Sequence, residues 1–491
     1  MANKQELHHI PTVGLDRAER FRTAYTLLNP PIQQDVHRKE STMSELSPAK
    51  FAFFLNLPWI ARLFQCIATA SLMAGFAFSQ DQPKPDPKLE KQFYTAKDRL
   101  QAIRSATLFS PQAIGQLDIA EGPTQKKDEF QLHANDKVIC DFVTPGSKMG
   151  GNTAKFGCKI TRIESSNGQV QTLTAAIKEE DPVKVKYGSG DNEVYAEVAA
   201  SRLLWALGFY TDSWYPVRVE CHGCPADPES GKGATDTRQF DPAIIVRKFQ
   251  GHKVYEVGNE AQGWSWKELE ANGRPTHERD GLALLAAFIV HSDNKPPQQR
   301  LACDHVNVDQ TTNPFTTTCD HSHLVVQDVG ATFGSGGWFT SNDGAKMNLE
   351  EWSGNGLWKK VGDGRPNSSA CQARLKKSLT AKDGLSDPAV SEEGRRLLAG
   401  QMCQLSDTQI SALFRLSRVA HMPRYQNSDG TFKNGLTEDG IVQQWVAAFK
   451  KKREDLAAGR CRWNAQPPDL KPIDNPAGLA TVPNFCSARP Y

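Results

Sequence analysis

Short runs of alternating hydrophobic and polar residues dominate residues 130–186. Five runs, FQLH, KVICDFV, KFGCKITRI, QVQTLTAAI and VKVKY, are separated by Gly, Asn and Asp. A period of two is typical of half-buried β-strands, and the separating residues are typical of turns. This part of the chain is therefore predicted to form an antiparallel sheet. Two more strand-like runs, YPVRVEC and AIIVRKF, follow after the next helix.

Helical patterns lie before, between and after these strands. Residues 88–105 have an amphipathic pattern, and residues 193–207 predict a helix that stops at a glycine. Residues 281–290 (GLALLAAFIV) are apolar on every side, as expected of a helix at the centre of a lobe. Ser406 and Gln409 form a capping-box pattern, which predicts that another helix begins there.

The order of the patterns predicts an α+β fold of one bilobal domain, with a β-rich N-lobe at residues 130–255 and a mainly helical C-lobe at residues 256–460. The flanking segments are expected to be a polar N-terminal extension, an apolar segment, a linker with an N-terminal helix, and a C-terminal tail; these are residues 1–50, 51–79, 80–129 and 461–491.

The longest apolar stretch, residues 51–79, predicts export. Asn56, Pro58 and Arg62 interrupt it, which makes it a poor membrane span and a better signal peptide. Because the residues before Met43 are polar, Met43 is an alternative start. If the segment is cleaved, the body is periplasmic or extracellular; if it is kept, it anchors the body in the inner membrane as a signal anchor. The membrane is expected to be a partner only through this segment.

The cysteine count fits an exported body. Of eleven cysteines, Cys66 lies in the apolar segment, so an even number remains in the body. Outside the cytosol, disulfides are the expected state, and we expect them to stabilise the fold. Three pairs are close in sequence and are the first candidates: Cys140 with Cys158, Cys221 with Cys224, and Cys303 with Cys319.

A zinc site is the alternative use of some of these cysteines. Cys221 and Cys224 have C-x2-C spacing, and Cys319 is followed closely by His321 and His323. The second group lacks a usual zinc-ligand spacing, so disulfides remain the preferred interpretation.

Composition and charge exclude several classes without naming a substrate. Hydrophobic residues make up 39% and charged residues 23% of the 491 residues, which argues against a disordered or collagen-like chain. The 58 basic and 56 acidic side chains leave a formal charge of +2, so no nucleic-acid partner is expected.

Residues 291–298 (HSDNKPPQ) carry the strongest chemical signal. His291, Asp293 and Lys295 alternate, and an amide, Gln298, follows Asp293 by five positions. Catalytic loops of kinases have this layout, because an aspartate must orient the attacking hydroxyl and an amide oxygen must hold a metal ion. Gln298 departs from the usual asparagine by one methylene.

A second signal follows the strand-like run LVVQ. Asp328 and Gly330 form D-x-G, the pattern that places a carboxylate on the metal ion bridging nucleotide phosphates. The pattern is common by chance, but here it follows the catalytic-loop pattern in the expected order.

A lysine on a strand, held by a glutamate on the next helix, is the third signal. Lys184 and Lys186 lie on one face of the predicted strand and Glu197 lies on the helix; we favour Lys186. Glu193 shares the helix face of Glu197, so either glutamate could meet the lysine. Upstream, a weaker glycine-rich pattern nominates a phosphate-covering loop with three candidate nucleotide-binding residues: Gly150, Gly151 and Lys155.

Together, these segments resemble the atypical protein-kinase-like superfamily, most closely its secretory-pathway branch of the Golgi casein kinase type, and more distantly HipA-like and phosphatidylinositol kinases. The helix pattern E-x-A-A-x-x-L-x-x-x-L-G-F is matched by residues 197–209, and D-x-G-x-x-F-G by residues 328–334. The resemblance implies Lys186 and Glu197 as the nucleotide ion pair, Asp293 as the catalytic aspartate and Asp328 as a metal ligand. It implies ATP with Mg²⁺ or Mn²⁺ as cofactors.

The expected function is an exported kinase-like phosphotransferase, which moves a phosphoryl group from a nucleotide to a hydroxyl of a protein, glycan or small molecule. The alternative is a catalytically inactive kinase-like module of the cell envelope, which binds a nucleotide or a partner. The identity of the acceptor is not encoded in any motif named above.

Overall fold

The computed structural model describes residues 91–458, except 126–129, 145–150, 174–181, 257–262, 310, 313–315, 338–343 and 360–370. The described residues belong to one compact unit, Asp81–Tyr491. Their strands are β1 Lys91–Tyr94, β2 Lys137–Val143, β3 Lys155–Glu164, β4 Val170–Thr172, β5 Val183–Tyr187, β6 Ser213–Asp227, β7 Lys232–Arg247, β8 His252–Glu256, β9 Gln299–Asp309 and β10 Thr316–Val326. Their α-helices are α1 Ala96–Ser105, α2 Glu193–Ala206, α3 Thr276–Phe288, α4 Leu349–Gly354, α5 Glu392–Met402, α6 Asp407–Leu416 and α7 Glu438–Ala458.

The first sheet has the strand order β2-β6-β7-β5-β3-β4, and β2 also pairs with β3, so that five strands form a closed ring. Only the β2–β6 pairing in this sheet is parallel. Buried alternate residues such as Phe156, Val185 and Val219 form its core. The alternation in the sequence therefore predicts most of this sheet.

The FQLH run is buried without being a strand. Phe130 and Leu132 lie in the core of the first sheet, as their alternation predicts. The backbone N–H groups of Gln131 and Leu132 instead donate to the side-chain oxygens of Gln171 and Gln125, each at 3.0 Å. Glutamine side chains thus replace the strand partner, which the period of two cannot reveal.

The second sheet has the order β1-β8-β9-β10 and adds two long strands, β9 and β10, to the part of the chain that is predicted to be mainly helical. β9 and β10 form a long antiparallel hairpin in which Gln299 pairs with Val326. The turn-side half of this hairpin is polar and largely exposed, so it lacks the hydrophobic alternation that predicts a strand. β8 joins this sheet through β9, so the sheet takes strands from both sides of residue 256.

The helices otherwise follow the sequence pattern closely. Every residue of α2 except Trp205 is buried, and α3 is buried from Asp280 to Phe288. The capping box of Ser406 and Gln409 is present at the start of α6. In the region predicted as a helix at 88–105, the helix begins only at Ala96, after β1.

Around α3 lies an aromatic cluster that forms the centre of the larger core. Trp352 stacks on Trp445, with ring centroids 5.8 Å apart, and Phe333 of the D-x-G segment packs edge-on against Trp352 at 5.1 Å. Aromatic pairs in these geometries contribute beyond the area that they bury. The D-x-G segment is therefore fixed to the helical part of the fold.

The cysteines pair as their spacing predicts. Cys140–Cys158, Cys221–Cys224 and Cys303–Cys319 have Cα separations of 5.7, 5.6 and 5.6 Å, which are compatible with disulfides. The contact of Cys221 with Cys224 favours the disulfide interpretation of this pair over the zinc alternative.

Within residues 91–458, leaving out the gaps given above, none of the helices has the length and apolar character needed to cross a membrane. The predicted extension, apolar segment and tail lie outside the described residues, and so do Met43, Cys66 and Gly150.

Candidate functional site

A buried ammonium group lies at the centre of the candidate site. Lys186 is 1% exposed on β5, and its Nζ donates to Oε1 of Glu193 at 2.6 Å and to Oε1 of Glu197 at 2.5 Å. The two glutamates are one helical turn apart on α2 and therefore face the same strand. The sequence left open which glutamate meets the lysine; both of them do.

Asp328 completes this group from the end of β10. Its Oδ1 lies 3.5 Å from Nζ of Lys186, and its side chain is 31% exposed. Oxygen atoms of Glu193, Glu197 and Asp328 lie within 4.8 Å of one another. We call Lys186 and these three carboxylates the lysine–carboxylate cluster. It joins the first sheet, α2 and the D-x-G segment.

The cluster holds its groups in defined charge states. Burial would lower the pKa of Lys186, but the carboxylates of Asp328, Glu197 and Glu193 raise it well above its usual value. Burial also opposes ionisation of Glu193, yet Lys186 and Lys346 lower its pKa to about 2. Lys186 is therefore an ammonium and Glu193 a carboxylate at neutral pH.

The pKa values of the remaining two carboxyl groups are shifted in opposite directions. Burial raises the pKa of Glu197 well above its usual range, although Lys186 acts in the opposite direction. Burial raises the pKa of Asp328, but the ammonium groups of Lys186 and Lys184 act against burial and lower this pKa far below its usual range. Asp328 therefore keeps its negative charge and faces the more accessible side of the cluster.

Gly330 explains why the D-x-G segment needs its glycine. A Cβ atom at this position would lie 2.2 Å from Cγ of Glu193 and 3.0 Å from Oε1 of Glu197. Such distances are far inside van der Waals contact. The glycine therefore lets α2 bring its two glutamates against the segment that carries Asp328.

Further lysines line the same site. The Nζ atoms of Lys184 and Lys186 lie 5.0 and 4.9 Å from the Trp214 ring, so the two lysines share a face, as the period of two predicts. Lys155 on β3 is the register partner of Lys186. Burial and the nearby Lys186 lower the pKa of both Lys155 and Lys184. Proton loss from these two lysines is therefore easier than from a free lysine.

Gly151 belongs to the same part of the site. Its φ is +98°, and a Cβ atom there would lie 2.7 Å from Nζ of Lys155. The structure thus brings together two of the three residues of the predicted phosphate-covering loop.

The catalytic-loop pattern lies directly against the D-x-G segment. Buried His291 donates from Nε2 to the backbone oxygen of Asp328 at 3.0 Å. The backbone oxygen of Gln298 accepts from the N–H groups of Gln327 and Asp328 at 3.2 and 3.4 Å. Burial lowers the pKa of His291, so the ring is neutral and its Nε2–H is a donor. Two motifs that are distant in sequence therefore form one hydrogen-bonded unit.

Asp293 receives hydrogen bonds from three side chains. Lys295 Nζ lies 2.8 and 2.9 Å from its two carboxylate oxygens. The amide nitrogen of Gln298 donates to Oδ2 at 3.0 Å, and Ser378 Oγ donates to Oδ1 at 3.2 Å. The predicted metal ligand Gln298 thus has its amide nitrogen on Asp293. His291, Asp293, Lys295 and Gln298 are all brought together in this loop.

The sequence did not identify Lys346 and Ser378. Lys346 is 2% exposed, and its Nζ donates to Glu193 at 2.6 Å and to Asp191 at 2.8 Å. Asp191 in turn accepts from Thr153 Oγ1 at 2.7 Å. Neither residue stands in a recognisable motif, so the sequence offers no signal for either.

No family model and no curated protein matches the chain. Among solved structures, the crystal structure of a Helicobacter pylori proinflammatory kinase, CtkA, matches with a TM-score of 0.31 and 7% sequence identity, covering 64% of this chain and 92% of that chain. The chain thus has a weak structural similarity to a kinase.

Proposed function

We propose that this chain is a kinase-like phosphotransferase of bilobal architecture, which moves the terminal phosphoryl group of a nucleoside triphosphate to a hydroxyl. One observation carries the proposal: the buried ammonium of Lys186 is bound by α2 glutamates next to Asp328, whose segment is hydrogen-bonded to the loop of Asp293. Phosphoryl transfer needs little covalent chemistry from a protein, but it needs positioned charges of this kind.

Each charged group has a defined task in this proposal. Lys186 binds the non-terminal phosphates, and Glu193 and Glu197 fix the position of its ammonium. Lys155, beside Gly151, adds positive charge at the predicted phosphate-covering loop. Asp293 orients the acceptor hydroxyl and takes its proton.

Asp328 fits a divalent cation. Its ionised carboxylate is 31% exposed, while both oxygens of Glu193 and Oε1 of Glu197 accept hydrogen bonds from lysines. Mg²⁺ and Mn²⁺ prefer oxygen ligands, and Mg²⁺ is often held by one or two carboxylates together with substrate phosphates. When bound, the cation supplies charge neutralisation at the phosphates.

A catalytically inactive nucleotide-binding module is the second candidate. The observation that favours it is the occupancy of Asp293, whose two oxygens already accept from Lys295, Gln298 and Ser378. In such a module these contacts persist when nucleotide binds, and no acceptor hydroxyl reaches Asp293.

We also propose that the body of the chain is exported to an oxidising compartment. The disulfide-compatible pairs of Cys140 with Cys158, Cys221 with Cys224, and Cys303 with Cys319 support this location.

A thermal-shift titration with ATP, with and without Mn²⁺, tests nucleotide binding. Ligand binding to the folded state raises its stability by about 2.7 kcal/mol when the ligand is at 100 times its Kd, so the melting temperature should rise. Asp328→Ala should remove the Mn²⁺-dependent part of the rise. Asp309→Ala, an exposed aspartate of the β9–β10 hairpin, is the matched control and should keep it. No shift at millimolar nucleotide contradicts both candidate functions.

A further inference from the structure

A hydroxyl of the chain itself lies where an acceptor hydroxyl would have to lie. Ser378 Oγ donates to Oδ1 of Asp293 at 3.2 Å, within the reach of about 2.6–3.2 Å that a general base needs. The backbone of Ser378 is fixed in this place, because its N–H donates to the backbone oxygen of Ser292 at 2.8 Å.

The other contacts of Asp293 come from nitrogen donors. An ionised carboxylate has about four lone-pair positions. Lys295 takes two of them and Gln298 takes a third, which leaves one position, on Oδ1, for Ser378. A hydroxyl from another molecule must therefore displace Ser378 before it can bind Asp293.

Ser378 begins a surface segment, residues 378–386, and its side chain faces inward from that segment. Ser378 is 2% exposed, whereas Leu379 is 60% exposed and Thr380 is also exposed. Thr380 Oγ1 lies 3.1 Å from Ser378 Oγ. The Leu385 end of the segment is attached to the catalytic loop as well, because the side chain of Asn294 bonds the backbone of Leu385 at both its N–H and its oxygen. The segment is thus held with one hydroxyl directed at the candidate base.

Resting on the proposed function, we propose that Ser378 is a phosphoryl acceptor within its own chain. The Oγ of Ser378 attacks the terminal phosphorus of a bound nucleoside triphosphate. The new Oγ–P bond forms as the bond from that phosphorus to the bridging oxygen breaks, and the nucleoside diphosphate leaves. The hydroxyl proton passes to Oδ1 of Asp293, and no oxidant or further reactant is needed.

The experiment measures phosphate incorporation by the full-length chain with ATP and Mn²⁺. Intact mass and peptide mapping should find one phosphoryl group, at position 378, formed at a rate independent of protein concentration. Ser378→Ala should lower the incorporation by about tenfold or more, because the nucleophile and its contact with the base are lost. Ser378→Thr, which keeps a hydroxyl, should still be phosphorylated at position 378.

Ser386→Ala is the matched control, because Ser386 lies in the same segment but donates to the backbone oxygen of Leu375. It should incorporate phosphate as the wild type does. Phosphate found only at other positions, or full incorporation by Ser378→Ala, overturns the proposal. Nucleotide binding or turnover with no self-phosphorylation also overturns it while the proposed function stands. Absence of any metal-dependent nucleotide binding is the separate result that removes the proposed function itself.

Discussion

At the scale of single residues, Lys186 shows what a short pattern can and cannot predict. The period of two correctly places Lys184 and Lys186 on one face, and the spacing of Glu193 and Glu197 correctly places both on one side of a helix. The pattern cannot say which lysine is central, because that depends on how α2 packs across β5. In the structure, both glutamates form ion pairs with Lys186.

Gly330→Ala tests the close packing of the lysine–carboxylate cluster. The new methyl group would overlap Glu193, so the glutamate must leave Lys186 or the backbone must shift. Overpacking of this kind costs about 1–3 kcal/mol. We expect urea denaturation to show a loss of that size, and the ATP-dependent thermal shift to weaken.

The matched control for this variant is Gly354→Ala. A Cβ atom at Gly354 would have no neighbour within 4 Å, so stability and nucleotide response should both stay close to those of the wild type. A Gly330→Ala variant as stable as Gly354→Ala would show that the packing around Glu193 is looser than described.

At the scale of elements, α7 holds the end of α4 through one buried lysine. Lys452 is 3% exposed, and its Nζ donates to the backbone oxygens of Trp352 and Asn355 at 3.3 and 2.5 Å. The last carbonyl groups of a helix lack partners within the helix, so this lysine satisfies them. Burial lowers the pKa of Lys452 to about 8.

The pKa of Lys452 makes stability depend on pH. Between pH 8 and 10.5 the unfolded chain, with its ordinary lysine pKa of 10.5, binds a proton that the folded chain has lost. The free energy of unfolding should therefore gain a contribution as pH rises through this window. Urea denaturation of wild type and Lys452→Met at pH 7.5 and 10 checks this, because the gain should be smaller in the variant.

Lys451→Met is the control for the same helix, since Lys451 is exposed. It should keep the pH response of the wild type. If the free energy of unfolding changes equally with pH in the Lys452 and Lys451 variants, the pKa of Lys452 is not lowered by burial.

The elements that the sequence predicts well are those whose burial is periodic. α2, α3 and most of the first sheet have hydrophobic residues at the spacing of their backbone, and local caps and turns fix their ends. The sequence predicts the LVV end of β10 but not the turn-side half of the β9–β10 hairpin, because that half, including Thr316–Thr318, is polar and lacks hydrophobic alternation. The FQLH run shows the opposite error. Its alternation predicts a strand, but its backbone N–H groups bond glutamine side chains and not a neighbouring strand.

At the scale of the whole molecule, the sequence predicts the catalytic-loop and D-x-G motifs, but it does not predict which distant side chains form hydrogen bonds at the site. Lys346 and Asp191 are 155 positions apart, and Ser378 and Asp293 are 85 positions apart, yet each pair is hydrogen-bonded. Contacts across such separations follow from packing of the complete fold, which no local pattern encodes. The α+β class and the local cysteine pairs, by contrast, follow from short-range patterns and are seen in the structure.

We propose that Asp293 and the lysine–carboxylate cluster together form one phosphoryl-transfer site. The most direct test measures nucleoside diphosphate release from ATP with Mn²⁺ by the wild type and by Asp293→Ala, with nucleotide binding measured in parallel. We expect Asp293→Ala to bind nucleotide as the wild type does and to lose turnover by about 100-fold or more. Equal turnover in the two proteins, or a wild type that binds nucleotide without turnover, would contradict it.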